Sequence, residues 1–137
     1  MEKKIVINLE KIAKYIKKNL MNFYILLFFI IITLLMTYPL VFNIDSSFPA
    51  AGDTYEYAWD FWYIKQVLFQ GASPFFSNYI FYPNGVSLAF HDTTMFNSLL
   101  SIPFQLIFNL TTVYNLLFLF SFILSGFGAY LLVFYLT

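Results

Sequence analysis

The segment Gly52-Asp53-Thr54-Tyr55-Glu56-Tyr57-Ala58-Trp59-Asp60-Phe61-Trp62 concentrates three carboxylates among aromatic side chains. On a helix turning about 100° per residue, Asp53, Glu56 and Asp60 fall within roughly 60° of one another. Oxygen ligands on one stripe suit a divalent cation such as magnesium, manganese or calcium. The same carboxylates could serve as a general base if a half-buried setting raised a pKa. A plainer reading is a surface helix whose acids face water, with Asp53 capping its start. His91-Asp92 is the second candidate. Such a pair can complete a metal site, orient a phosphate-bearing substrate, or merely cap the next helix. The chain has no cysteine and no phosphate-cradling glycine loop. Nor does it carry a Ser-His-Asp arrangement or a metalloprotease helix.

Composition dictates what must position these groups. Of 137 residues, 61% are hydrophobic, 23% aromatic and only 10% charged, too few charges to cover a water-facing globule. Disordered chains lack such apolar content. Nucleic-acid binding is excluded on charge: the net charge is zero, arginine is absent, and all lysines but Lys65 lie in the first 18 residues. The composition implies an all-α membrane protein with about three transmembrane helices and a long extracytoplasmic loop containing an interfacial helix.

Residues 1–19 form a basic amphipathic segment, with Ile5, Leu9, Ile12 and Ile16 at helical spacing among lysines. It acts as a topogenic signal or lies on an anionic leaflet, and either way the N-terminus is placed in the cytoplasm. The uncharged run 20–42 is long enough for a first span, and too long for the apolar core of a cleaved signal peptide. Residues 43–92 then form the extracytoplasmic loop, with a helix from Thr54 to about Gln70 ended by Gly71. Turns are expected around Pro74, Pro83, Asn84 and Gly85, without a firm strand. A second span, or a re-entrant or tilted surface helix, is expected at 93–108, and a third span at 113–136. Asn109 reads as a cytoplasmic turn between them. Ser121, Ser125, Gly126, Gly128 and Ala129 offer the last span a packing face for partner helices.

The order of these features is distinctive: a basic N-terminus, one span, Gly52-Asp53, an aromatic helix, Gly71 to Pro74, and Tyr82-Pro83-Asn84-Gly85. An apolar segment with Pro103 and the run TTVYNLLFLFSFILSGFGAYLLVFYL follow. Over residues 20–137 the chain resembles the N-terminal part of polytopic C-type-fold (GT-C) glycosyltransferases, in the branch related to YfhO-like and family-39-like membrane proteins. The resemblance implies an integral membrane enzyme moving a sugar from a polyprenyl-phosphate carrier to an extracytoplasmic acceptor. Asp53 maps onto the essential acid of the first outer loop and would be catalytic. Glu56, Asp60, His91 and Asp92 would contact substrate. A metal, if used, would fall to Asp53, Glu56 and Asp60, and a divalent cation is the only cofactor considered. The expected partners are the bilayer, a polyprenyl-phosphate-linked sugar, and downstream or partner transmembrane helices. Family members carry many more spans and further phosphate-gripping residues. The chain is therefore expected to be a fragment, inactive alone. The alternative is a small non-catalytic membrane protein that associates with partner helices.

Overall fold

The computed structural model describes residues 2–137, with side chains from Ile16 onward. The side chains of the basic amphipathic face, Ile5, Leu9 and Ile12 with their neighbouring lysines, lie outside the described residues. The elements are α1 (Glu2–Met36), α2 (Asp53–Gln70), β1 (Phe76–Ser77), β2 (Val86–Ser87), α3 (Met95–Ser101) and α4 (Leu110–Leu136). Short 3-10 turns stand at Leu40–Asn43 and Phe104–Leu106. The chain divides into two compact units, one made of Met1–Met36 with Leu119–Thr137 and the other of Thr37–Phe118.

Among the described residues, two helices are long and apolar enough to cross a membrane, Ile16–Met36 and Leu110–Leu136. The first ends at Met36, short of the expected Phe42. Pro39 has no N–H to continue the ladder and disfavours helical backbone at Tyr38, and the chain tightens into the 3-10 turn beyond it. The other begins at Leu110, three residues before the expected start, because the Asn109 Oδ1 accepts the Thr112 N–H at 2.7 Å and caps the helix. Asn109 Nδ2 also donates to the Asp45 carbonyl at 3.3 Å. Asn109 therefore joins the start of this helix to the segment that precedes α2.

Residues 93–108 contain no helix of spanning length. They form the seven-residue α3, a break at Pro103 and a 3-10 turn. Seven helical residues rise about 10 Å, against a hydrocarbon core of about 30 Å.

The 37–118 unit is built on α2. Gly52, at φ 74°, precedes the helix, so Asp53 is its first residue and makes no side-chain cap. Its charge still favours the positive end of the helix dipole. Gly71 ends α2 in the left-handed conformation, its N–H reaching Leu68 O at 3.2 Å while Ala72 N–H reaches Val67 O at 2.8 Å. Tyr63, Ile64 and Val67 pack with Leu88 into a core flanked by Trp59, Trp62, Ile80, Val86 and Met95. Trp59 stacks on Tyr63 at 4.7 Å, and the Tyr63 hydroxyl donates to Phe76 O at 2.6 Å. Thr54, Ala58 and Phe61 are buried on a further stripe, with the Phe61 ring 5.5 Å from that of Tyr114. α2 is thus the core helix of its unit.

The turn 82–85 closes an antiparallel hairpin pairing Phe76 with Ser87 and Ser77 with Val86. Gly85 has φ +69°, and a Cβ there would stand 2.8 Å from Ser77 O, so only glycine fits. The segment between α1 and α2 is held by Asn115, which is buried and donates to Ile44 O and Ser47 O, both at 2.8 Å.

In the other unit, Tyr130 OH donates to Asn22 Oδ1 at 3.0 Å. Gly126 receives the Phe29 ring, and Lys18 Nζ stands 5.1 Å from the centre of the Phe134 ring.

Candidate functional site

Helical spacing brings Glu56 and Asp60 to one side of α2, and the turn before α3 lays His91 against them. His91 Nε2 is 3.2 Å from Glu56 Oε1 and 3.9 Å from Asp60 Oδ1. These are ion-pair distances without the alignment of a hydrogen bond, and both His91 Nε2 and Asp60 Oδ1 are buried without a hydrogen-bond partner. Asp60 Oδ2 is engaged by the Thr94 N–H at 3.2 Å. Thr94 stands at the N-cap position of α3 without using its side chain, so Asp60 satisfies a backbone donor near the start of that helix. Beside this group, the Tyr57 hydroxyl donates to Asp92 Oδ2 at 3.2 Å.

The electrostatics follow from burial and from like charge. Asp60 is 0% exposed, and burial pushes its carboxyl above the ordinary aspartate range. The Thr94 N–H and His91 work against that shift, while Glu56 and Asp92 add to it. Tyr57 is also raised, first by the charge of Asp92, then by its hydrogen bond to Asp92 and by desolvation, with smaller contributions from Asp53 and Glu56. The five residues singled out from sequence therefore occupy one neighbourhood. Glu56, Asp60 and His91 are in direct contact, Asp92 joins through Tyr57, and Asp53 is exposed near the helix start, acting on Tyr57 through its field.

Two details differ from expectation. The acids do not all face water, because Asp60 points into the unit. Asp92 receives the Tyr57 hydroxyl, and α3 has no side-chain cap. Sequence reasoning passed over Thr94 and gave Tyr57 only a flanking place. The signal for Tyr57 lay in its own run, one residue after Glu56, but its partner is 35 residues away.

Among the described residues, no group of three or more His, Asp or Glu side chains is arranged to hold a metal ion. Asp53, Glu56 and Asp60 do not fit the divalent cation considered from sequence, since one Asp60 oxygen is taken by Thr94 and the other faces His91. What the arrangement can do is hold and move a proton. An imidazole sits between a buried carboxyl and an exposed one, the Glu56 carboxylate being the solvent-facing member. Comparison with known protein families, characterised proteins and solved structures returned no match.

Proposed function

We propose that the chain is an integral membrane protein with a cytoplasmic N-terminus. Residues 37–109 lie outside the cytoplasm and α4 returns across the bilayer, giving two passes. In this reading it forms the N-terminal portion of a glycosyltransferase that moves a sugar from a polyprenyl-phosphate carrier to an extracytoplasmic acceptor. The six lysines among residues 3–18, at the N-terminal end of the Ile16–Met36 helix, support the orientation.

The observation that carries the enzymatic reading is the gathering of Asp53, Glu56, Asp60, His91 and Asp92 in one unit that two span-length helices flank in sequence. Asp53, exposed at the start of α2, is the proposed base that takes the proton from an acceptor hydroxyl. Glu56 and His91 contact substrate beside it, Asp60 holds His91 in place, and Asp92 acts through Tyr57.

The test is sugar transfer by the full-length membrane protein, reconstituted in vesicles with polyprenyl-phosphate glucose and mannose as donors. Asp53→Asn should lower transfer by about 10²–10⁴-fold, the usual contribution of a general base, with insertion unchanged. Transfer at the wild-type rate would reject Asp53 as the base.

A second reading, a non-catalytic protein that recruits partner helices, is favoured by one observation. Ser125, Gly128 and Ala129 are exposed on α4, and nothing lies within 4 Å of a Cβ built at Gly128. Close helix approach through small residues would use that face. Loss of association on Gly128→Leu, with Asp53 dispensable, would support it.

A further inference from the structure

The segment 95–108 is built inside out. Ser98 and Ser101 are each 0% exposed, while Phe96 and Ile107 are each 77% exposed. Leu99, Leu100, Phe104, Leu106 and Phe108 are exposed as well. Ser101 and Gln105 serve one another and α2: Ser101 Oγ donates to the Ser98 backbone carbonyl at 2.6 Å, and Gln105 Nε2 reaches Ser101 Oγ at 2.6 Å and the Phe61 carbonyl at 2.9 Å. In water this arrangement is backwards, because small polar residues are usually exposed and large apolar ones buried.

It is the expected arrangement beside hydrocarbon, where polar groups turn to protein and apolar ones to lipid. No charged residue occurs from Thr93 to Thr137, and the exposed run Leu106–Phe108 leads through Asn109 directly into the span-length α4. We infer that the outward face of α3 and its following 3-10 turn is a lipid-binding surface, seated among the acyl chains of the outer leaflet as a re-entrant segment continuous with α4.

This inference rests on the membrane residence proposed above and not on the transferase activity. It has a consequence for the site. Thr94 stands at the start of α3 and binds Asp60, so seating α3 in the leaflet holds the carboxylate–imidazole group at the bilayer surface. A lipid-linked phosphate presents its head at that depth.

The absence of cysteine allows single spin labels to be placed without removing native thiols. Labels at Leu99, Phe104 and Ile107 would be introduced into the full chain in phosphatidylcholine–phosphatidylglycerol vesicles. Leu124 and Leu132 of α4 would report lipid, and Ser46 and Asn84 water. Collision rates with oxygen, which concentrates in hydrocarbon, would be compared with those of a water-soluble nickel chelate. The expected result is a several-fold preference for oxygen at all three test positions, matching Leu124. A preference for nickel at Phe104 and Ile107, with oxygen still preferred at Leu124 and Leu132, overturns the inference and leaves the spans intact. Exclusion of both agents means that protein, a second copy or another chain, covers the face, and it overturns the inference equally. A preference for nickel at Leu124 and Leu132 too removes membrane residence itself.

Discussion

The 37–118 unit and the two long helices deal with apolar surface by different means. In the former, Tyr63, Ile64, Val67 and Leu88 close over one another, and hairpin, turn and helix share a single core. In the latter, only 6% of the most apolar window of each helix is buried within the protein. The comparison teaches that hydrophobicity and internal packing are separate properties of this chain. One unit can be stabilised by its own core, whereas the long helices must find most of their burial in a bilayer or a partner. Within the 37–118 unit, α3 shares both characters, packed on α2 by its polar side and bare on its apolar side.

The sharpest way to break this contrast is to damage the core alone. Ile64 is fully buried, and Ile64→Ala should destabilise the loop unit by about 2–5 kcal/mol, the usual cost of such a cavity. Limited proteolysis in vesicles should then cut within 37–118 while the span-length helices stay protected. Simultaneous loss of protection in both would mean that the units do not stand apart energetically.

A smaller effect is expected between the long helices. Gly126→Leu would drive a side chain into the Phe29 ring, at an overpacking cost of about 1–3 kcal/mol. Gly128→Ala meets nothing within 4 Å and should be neutral or stabilising, because alanine is the better helix former. Thermal unfolding of the two variants in detergent separates the cases, and equal destabilisation would refute the Phe29 contact.

The smallest effect concerns Asp60 and is set by pH. Its folded pKa is raised, so the folded state holds the proton more tightly than the unfolded chain does. The contribution of Asp60 therefore favours folding fully below the unfolded value of about 3.9 and is lost as pH rises towards the folded value. Asp60→Asn keeps an acceptor for the Thr94 N–H and removes that loss. The stability of the variant relative to wild type should increase on going from about pH 4 to pH 7, by about 1.4 kcal/mol for each unit of pKa displacement. Parallel stability curves across that range would show that burial does not raise the Asp60 carboxyl.

Much of the framework was legible in the residue order. Uncharged runs marked both span-length helices, because crossing hydrocarbon demands length without charge. Gly71 marked the end of α2, because only glycine readily takes the left-handed turn found there. Helical spacing also grouped Glu56 with Asp60, and both lie against His91.

The expected second span at 93–108 is not a helix of spanning length, for a reason that composition cannot express. Residues 93–108 are apolar enough, but Pro103 breaks the helix, and Ser98, Ser101 and Gln105 turn inward to meet α2. The burial of Asp60, the clamp of Asn115 on Ile44 and Ser47, and the joining of Tyr57 to Asp92 across 35 residues were likewise decided only by tertiary structure. Periodicity tells which residues share a helix face. Only the packed partner determines whether that face meets water, lipid or another part of the chain.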